Sequence, residues 1–498
     1  MHFARGRNRT RRRWCLLALA FFLPVAARAQ RLNDDPRVAQ ALRLMQTWLE
    51  AYRAYDRIPG LSVALVRDQQ VLFSGGYGYA DVARQTPATA STIYSICSIS
   101  KLFTSVATLQ LRDAGKLRLD DPVAKHLPWF KIKQAYPERE EITVEGLLTH
   151  ASGLPRESEW PYWTGPDFPF PTHEQIVAKI GQQETLYPAE QYFQYSNLGL
   201  SLAGEIVAAE SGMTYADYVQ KNILGPLGLT STTPDMPEAE RGKRLAVGYG
   251  KFGRAPERAP LAFFQARGIA PAAGYASTAD DLARFAMWQF KQLTTNGYDV
   301  LKANTLREMQ RPHFIDPSWN TTYGLGFAVW RSGEKTFVGH GGSCPGYQTY
   351  LLLKPDERIA AVSMTNAVDA PARLLAKGMY DIVSPAILAA SKDTLFKPKA
   401  IDPQVAALAG TYEGTFGGET AVLPWDGSIA TISLPTEDPM RSLTKWRRTD
   451  DHTFRRVRDD GELGETIRFE MGADGKAAAY WIFSNRYARS AMAPLAPR

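Results

Sequence analysis

The sequence predicts an α+β fold followed by a smaller all-β unit. Two strand patterns near the start, at residues 61–66 and 71–79, precede a long helical middle, and strand patterns return between residues 337 and 364. One sheet that joins both ends of this segment, with helices against it, accounts for that order. After residue 402, short alternating segments punctuated by Asp-Gly pairs predict a small antiparallel barrel or sandwich.

Helices are predicted where apolar residues recur at three- and four-residue spacing. Gly115 and Gly212 follow two of these stretches, at the position where a left-handed residue commonly ends a helix. The predicted helices are residues 37–53, 101–113, 198–210 and 278–290, and the predicted late strands are 337–338, 348–353, 359–364, 431–434, 453–457, 466–471 and 478–483.

The first 29 residues have the pattern of a secretory signal peptide. They contain seven arginines and no acidic residue, an apolar run at 14–25, and the small-x-small triplet Ala27-Arg28-Ala29. We expect cleavage after Ala29 and delivery to the bacterial periplasm or the medium. An uncut membrane anchor is the alternative, although the apolar run is shorter than a bilayer span. The pair Arg11-Arg12 leaves twin-arginine export open beside the general route.

A chain of 498 residues is longer than one ordinary domain requires, so its length predicts two folded units or one large one. The predicted parts are a signal peptide (1–29), a main α+β unit (30–385), a linker (386–401) and a C-terminal β unit (402–498).

The charge distribution argues against a nucleic-acid partner. The formal net charge is +7, with 58 basic and 51 acidic residues, but the seven arginines of the signal segment account for the whole excess. A mature chain with equal numbers of both signs lacks the electrostatic footprint that DNA or RNA binding requires.

The strongest chemical signal is Ser98-Ile99-Ser100-Lys101, at the start of a predicted helix. Residues three apart lie on one helix face, so the Ser98 hydroxyl and the Lys101 amine meet. A lysine in a dry pocket can lose its proton and serve as the base for that hydroxyl. The same spacing occurs at Ser332 and Ser442, and an isolated match is more typical of a surface serine beside a solvated lysine.

Two further motifs supply polar groups. In Tyr195-Ser196-Asn197, a phenol near a lysine can relay a proton and an amide can hold an acyl side chain, although alone the tripeptide fits a helix N-cap with a buried tyrosine. In His340-Gly341-Gly342-Ser343, the glycines let a substrate backbone approach a strand edge. The alternative is a histidine on a glycine-rich turn.

Together these motifs resemble, in order and context, those of the serine β-lactamase and penicillin-binding-protein superfamily. The similarity is greatest to its class C-like branch of esterases, D-aminopeptidases and cephalosporinases, through the segments 147–155 and 274–282. It extends over roughly residues 35–385. The resemblance implies a β-lactamase/transpeptidase-like antiparallel sheet flanked by helices.

The resemblance also implies a role for each motif residue. Ser98 is the expected nucleophile, Lys101 its general base or proton relay, Tyr195 the proton shuttle, and Asn197 the group that orients the substrate amide. The strand His340, Gly341 and Gly342 is expected to bind substrate, and the backbone N–H groups of Ser98 and Ser343 are expected to form the oxyanion hole. His150 is expected to be structural.

His340 departs from true class C β-lactamases, which carry lysine at this place. A largely neutral imidazole is a weaker anchor for a β-lactam carboxylate than an ammonium group. This favours a carboxylesterase or a D-amino-acid amidase or peptidase over a β-lactamase or DD-carboxypeptidase. The alternative from another class is a catalytically silent sensor that binds peptidoglycan fragments or β-lactams.

Cys97 and Cys344 stand where cysteines of the class A carbapenemase subgroup form a disulfide, so the resemblance implies a Cys97–Cys344 bond. Two buried free thiols are the alternative.

The remaining expectations concern substrate, partners and cofactors. The aromatic, proline-rich segment 160–171 cannot be regular structure. It is expected either to form an acyl-binding wall or to pack on its own rings. The C-terminal unit resembles lipocalin-like domains and is expected to shape the cleft or to mediate homo-oligomer formation. We expect a small-molecule or peptide substrate, no membrane span after signal cleavage, and no metal or organic cofactor, since the seven histidines are scattered singly.

Overall fold

The computed structural model describes residues 31–255, 257–393, 401–415 and 418–490. The predicted signal peptide, residues 1–29, lies outside the described residues. Within the described ranges, none of the helices combines the length and the apolar character that a bilayer crossing requires.

The main unit is built on a nine-stranded antiparallel sheet, accompanied by a separate two-stranded ribbon. The strands are β1 (Gly60–Arg67), β2 (Gln70–Asp81), β3 (Thr86–Pro87), β4 (Tyr94–Ser95), β5 (Ala276–Ser277), β6 (Phe314–Ile315), β7 (Thr322–Tyr323), β8 (Ala328–Ser332), β9 (Lys335–Cys344), β10 (Tyr347–Lys354) and β11 (Ile359–Thr365). The order across the large sheet is β3-β2-β1-β11-β10-β9-β8-β7-β6, and β4 pairs with β5. Because β1 lies beside β11, with Leu61 opposite Thr365, the two ends of the unit meet in the sheet as predicted.

Helices cover both faces of this sheet. On β1, Val63 and Leu65 are buried in one apolar cluster and Ala64 and Val66 in another, as expected for a strand covered on both sides. The helices are α1 (Arg31–Asp34), α2 (Pro36–Tyr55), α3 (Ser100–Asp113), α4 (Val123–His126), α5 (Val144–Thr149), α6 (His173–Ile180), α7 (Asn197–Ser211), α8 (Tyr215–Val219), α9 (Ala270–Ala273), α10 (Ala279–Thr295), α11 (Ala303–Met309), α12 (Ala372–Lys392), α13 (Pro403–Leu408) and α14 (Pro439–Ser442).

The C-terminal unit is a closed antiparallel barrel. Its strands are β12 (Gly410–Glu413), β13 (Glu419–Trp425), β14 (Ser428–Leu434), β15 (Leu443–Asp450), β16 (Thr453–Val457), β17 (Leu463–Met471), β18 (Ala477–Ile482) and β19 (Asn485–Arg489). The predicted turn Asp426-Gly427 joins β13 to β14 with positive φ at both residues, which is the type I′ geometry that Asp-Gly favours. The sequence analysis missed β12, β13, β15 and β19.

Helix α12 runs into the segment that was predicted as a linker. Its last residues extend past Pro385, which stands inside the helix, so residues 386–392 are helical rather than connecting. Burial of Ile387 beyond the proline continues the apolar face of Ile382 and Val383, and this packing outweighs the missing backbone hydrogen bond. Residues 394–400 of the predicted linker lie outside the described residues.

The barrel packs against α2 and α12. Ala421, Ile432 and Leu434 of the barrel are buried in the same apolar cluster as these helices. The Trp48 indole N–H of α2 donates a 2.9 Å hydrogen bond to the Thr436 carbonyl oxygen.

A disulfide joins Cys97 to Cys344, as the resemblance implied, with the two Cα atoms 5.7 Å apart. It ties the turn before α3 to the end of β9. The two residues are separated by 247 positions, so the bond closes a very long loop.

We predict that Cys344→Ala lowers the free energy of unfolding by up to about 5.5 kcal/mol on the chain-entropy model, because the unfolded chain is no longer cross-linked across this loop. Denaturant titration of wild type and variant measures this difference. Non-reducing digestion and mass spectrometry should recover the linked peptide pair from wild type. Two alkylatable thiols in the untreated wild-type protein would contradict the bond.

Candidate active site

Ser98 lies in a single 3₁₀ turn, Cys97–Ile99, immediately before α3. It is partly exposed, whereas its neighbours Cys97 and Ile99 are fully buried. Cys97 holds the left-handed conformation, with φ of 50°, which is costly for a residue with a side chain. Pairing of β4 with β5 and the hydrogen bond from Ile96 N–H to the Tyr275 carbonyl (2.7 Å) fix the approach to this turn.

Lys101 is fully buried one helical turn after Ser98. Its Nζ lies 3.1 Å from Ser98 Oγ, 2.8 Å from Asn197 Oδ1 and 2.8 Å from the Ala272 carbonyl oxygen. Loss of water around the amine lowers the pKa of Lys101 well below its usual value of 10.5; nearby Glu157 opposes this shift. A neutral amine has two N–H donors for the two carbonyl oxygens, which leaves its lone pair for the Ser98 hydroxyl proton.

Tyr195 completes this group. It lines the same cleft as Ser98, and Lys101 Nζ lies 4.8 Å from the centre of its ring. Burial raises the pKa of Tyr195, and the nearby Ser98 side chain opposes that rise, so the phenol keeps its proton at neutral pH. The structure therefore brings the predicted alcohol, amine and phenol together.

His150 supports the tyrosine from behind, as expected for a structural residue. It caps the end of α5 in the left-handed conformation, and its ring lies 4.2 Å from the Tyr195 ring. Its Nδ1 accepts a 3.1 Å hydrogen bond from the Ser196 backbone N–H. Full burial lowers the pKa of His150 well below its usual value, so the ring is neutral.

Asn197 stands in the first turn of α7, whose N-cap Ser196 accepts a hydrogen bond from the Gly199 N–H. Both ends of the Asn197 amide are engaged: Oδ1 accepts from Lys101, and Nδ2 donates to Glu157 Oε1 and Oε2 at 2.9 and 3.1 Å. Glu157 also accepts a hydrogen bond from the Tyr162 hydroxyl. In this structure Asn197 positions Lys101, and its predicted contact with the substrate amide stays a prediction.

His340 faces the same site from β9. Its Nδ1–H donates to the Gly341 carbonyl oxygen at 2.5 Å, so its Nε2 accepts from the Tyr323 hydroxyl at 2.6 Å. Burial, with a smaller contribution from Lys101, lowers the pKa of His340 from 6.5 to about 3. At neutral pH the imidazole therefore carries no charge.

The glycines of β9 are required by close packing. A Cβ on Gly342 would stand 2.2 Å from the Ile96 carbonyl oxygen and 2.4 Å from Thr349 Oγ1. Glycine here lets β9 lie directly against the segment that carries Ser98. Ser343 follows on the same strand and lines the cleft with Ser98, and the oxyanion role of their backbone N–H groups stays a prediction.

These residues open into a cleft of about 420 Å³. Two cationic residues of the lining, Arg156 and Arg373, were missed by the sequence analysis. Arg156 directly follows the 147–155 segment and stacks over the Tyr195 ring at 4.8 Å, so its position in the chain was an available signal. Arg373 begins α12, where no local pattern marks it. The lining residues are Ser98, Arg156, Tyr195, His340, Gly341, Gly342, Ser343, Gln348, Thr349, Tyr350, Ala372 and Arg373.

Comparison with known proteins agrees with this arrangement. A model of the Beta-lactamase family matches residues 45–382, which is more than half of the chain. The chain belongs to the Beta-lactamase family. This confirms the resemblance that the motifs predicted, including the sheet with flanking helices.

One relative of this Beta-lactamase-family chain is a staphylococcal protein of low sequence identity. Protein flp of Staphylococcus aureus (strain NCTC 8325) is 28% identical over 346 residues, covering 68% of this chain. The chain spans 64% of that relative's length, less than two thirds.

Two solved structures share the family fold. The octameric penicillin-binding protein homologue from Pyrococcus abyssi is 25% identical with a TM-score of 0.61, covering 89% of this chain and 99% of that one. This coverage exceeds what residues 1–401 supply, so the likeness includes part of the C-terminal barrel. A D-stereospecific amidohydrolase from Streptomyces sp. is 25% identical with a TM-score of 0.55, covering 70% of this chain and 97% of that one.

The aromatic segment 160–171 packs on its own rings rather than against the cleft. Tyr162 and Phe170 are buried with centroids 5.1 Å apart, and Phe170 stacks on Phe264 at 5.2 Å. The segment forms no regular helix or strand, as its prolines predicted. None of its residues lines the described cleft, so the acyl-binding wall is not supported.

We predict that His340 makes wild-type stability fall as pH decreases from 6.5 towards about 3. In that window the unfolded chain binds a proton at His340 and the folded chain does not, so the free energy of unfolding drops by up to ~1.4 kcal/mol per pH unit from this residue. His340→Gln lacks this contribution, and the difference between the two proteins should shift in the variant's favour on acidification. Urea unfolding between pH 6.5 and about 4 measures it; parallel pH dependences would contradict the buried neutral imidazole.

Proposed function

We propose that this chain is a serine hydrolase that acts on an ester or amide through an acyl-enzyme. The observation that carries the proposal is the dehydrated Lys101 amine at 3.1 Å from Ser98 Oγ. The lowered pKa of Lys101 favours the neutral amine, which is a base in contact with the nucleophile's proton. Membership of the Beta-lactamase family and the likeness to a D-stereospecific amidohydrolase support the same reaction class.

In the proposed reaction, Ser98 Oγ attacks the substrate carbonyl carbon and its proton passes to Lys101 Nζ. The backbone N–H groups of Ser98 and Ser343 stabilise the oxyanion. Tyr195 gives its proton to the departing alcohol or amine and regains one from Lys101 by way of the site's hydrogen bonds. Water then attacks the acyl carbon and loses a proton to Lys101 Nζ. The bond between that carbon and Ser98 Oγ breaks, and Lys101 returns the proton to Ser98 Oγ, which releases the acid and restores the free hydroxyl.

The cleft's charges refine the substrate class. His340 is neutral, so the cations of the lining are Arg156, whose guanidinium is paired with Glu157 at 3.2 Å, and Arg373, which has no ion-pair partner among the described residues. A carboxylate on the substrate is therefore favoured in this cleft, and an ammonium group is disfavoured. Within the esters and amides, we propose substrates that carry a carboxylate. Peptides and β-lactams, which also carry a carboxylate, are therefore a second class of candidate ligand.

We further propose that the protein is exported. The basic, apolar and small-residue pattern of the first 29 residues supports secretion. The Cys97–Cys344 disulfide also supports an oxidising compartment.

We predict that a fluorophosphonate probe labels wild type at Ser98 and that Lys101→Met slows labelling about 10²- to 10⁴-fold, because the hydroxyl loses its base. The labelling rate of wild type should rise with pH through a pKa well below 10.5, since the neutral amine is the reactive form. Peptide mapping and a pH series of labelling rates measure both effects.

Ser332→Ala and Ser442→Ala are matched controls, because these serines share the Ser-x-x-Lys spacing but lie at the end of β8 and in α14. Both should label like wild type, and Ser98→Ala should not label. If wild type is not labelled but binds a fluorescent penicillin tightly, the hydrolase proposal is wrong and the catalytically silent sensor is the better interpretation.

We predict that p-nitrophenyl hemiglutarate is hydrolysed with a lower KM than p-nitrophenyl butyrate and that Arg373→Ala raises the hemiglutarate KM about tenfold, since an ion-paired hydrogen bond is lost. D-alanine p-nitroanilide, which carries an ammonium group, should be a poorer substrate. Arg331→Ala removes an exposed arginine outside the cleft lining and should change neither KM. Equal KM values for the two esters in wild type would contradict the substrate class while leaving the hydrolase intact.

A further inference from the structure

Large side chains line the interior of the C-terminal barrel. Those that are buried together include Tyr412, Phe454, Phe469 and Tyr480. One outer wall is covered by α2 and α12. No barrel residue lines the described cleft. The outer wall away from α2 and α12 is the part of this unit that is open to a macromolecular partner.

Four cationic side chains share that uncovered wall. We name Lys445, Arg447, Arg455 and Arg468 the basic barrel face; all four are exposed. Arg447 on β15 lies directly opposite Arg455 on β16, and Lys445 is two residues from Arg447 on the same side of the strand. Arg468 lies opposite Thr453, two residues along β16 from Arg455. Like charges directly opposite across strands destabilise a sheet.

The basic barrel face is not neutralised by the barrel's own acids. Among the described residues, no carboxylate forms an ion pair with any of the four cations, and the Arg455 guanidinium donates to the Leu463 and Gly464 carbonyl oxygens instead. Glu470, two residues beyond Arg468, is paired with Arg486 at 3.0 Å. Residues 401–490 contain fourteen acidic and eleven basic residues, so the face results from segregation rather than from composition.

Two aromatic side chains border the same wall. Trp481 lies opposite Arg468, and Phe483 occupies the two-residue turn between β18 and β19 with 69% of its surface exposed. Phe483 and Ser484 both have positive φ, which is the type I′ geometry that favours Asn and Gly. A large apolar side chain at this position lowers the stability of the turn and the solubility of the protein. Contact with an apolar partner would offset both costs.

We propose that the basic barrel face docks the protein onto a bilayer that contains anionic phospholipid. The four cations meet the phosphate headgroups, and Trp481 and Phe483 enter the interfacial region, where aromatic side chains are favoured. Charge complementarity explains the unpaired arginines, and the apolar rim distinguishes a membrane surface from a soluble polyanion. The attachment is reversible and weakened by salt.

The test is co-sedimentation of the full chain with vesicles of phosphatidylcholine, alone or mixed in equal parts with phosphatidylglycerol. We predict binding to the mixed vesicles and loss of binding in high salt. The double variant Arg447→Glu/Arg455→Glu should lower the bound fraction about tenfold or more, because two attractive contacts become repulsive. Lys131→Glu/Lys133→Glu changes the net charge equally at exposed positions of the main unit and should bind like wild type.

Phe483→Asn separates the two possible sources of anionic charge. Asparagine suits the turn, so this variant folds, and its melting temperature verifies that. It should lose vesicle binding while keeping wild-type retention on soluble polyphosphate. Equal binding of wild type to neutral and mixed vesicles, or vesicle binding that Phe483→Asn leaves unchanged, would overturn the membrane assignment.

Discussion

The arrangement of the candidate active site depends on keeping water away from one lysine. Burial removes the water that would hydrate a charged amine at Lys101, and this lowers the pKa of Lys101. No carboxylate among the described residues contacts the amine directly to offset this loss. Glu157 stands one residue further out, bound to the Asn197 amide, so its charge reaches the lysine only at a distance. A direct carboxylate contact would have kept the amine protonated. The Asn197 amide between the two side chains therefore keeps Lys101 out of a direct ion pair with Glu157.

The second constraint is close approach between segments that are distant in the sequence. Ser98 and Lys101 come from one helix start, but the cleft exists because β9 lies against the backbone of Ile96. Gly342 has no room for a Cβ at this contact, and the disulfide from Cys97 to Cys344 closes the same junction. His340 is buried on the same strand, and burial lowers the pKa of His340 so that its imidazole is uncharged at neutral pH. A neutral imidazole on β9 is thus a consequence of how closely the strand is held.

The parts that the sequence predicted are those encoded by local spacing. The Ser98–Lys101 pair follows from helix periodicity, and the early and late strands follow from apolar runs, because β1 and β11 are buried on both faces. Arg373 escaped because its place in the cleft depends on the position of α12 against the sheet. Strand β19 was not predicted because its polar sequence shows no alternation of apolar and polar residues. The helical start of the predicted linker was not predicted because a proline such as Pro385 usually ends a helix. What the sequence could not supply was the relative placement of elements.

Helix α12 contacts both the cleft and the C-terminal barrel. Its first turn supplies Arg373 to the cleft, and its middle passes Gly378 so closely against Trp48 that a Cβ there would stand 2.3 Å from the indole ring. The same Trp48 hydrogen-bonds through its indole N–H to Thr436 of the barrel. Because Gly378 has no side chain, α2 and α12 approach each other more closely here than a larger residue would allow. Cleft, helix and barrel are therefore packed in series, and a barrel held at a surface would hold the cleft in one fixed orientation to that surface.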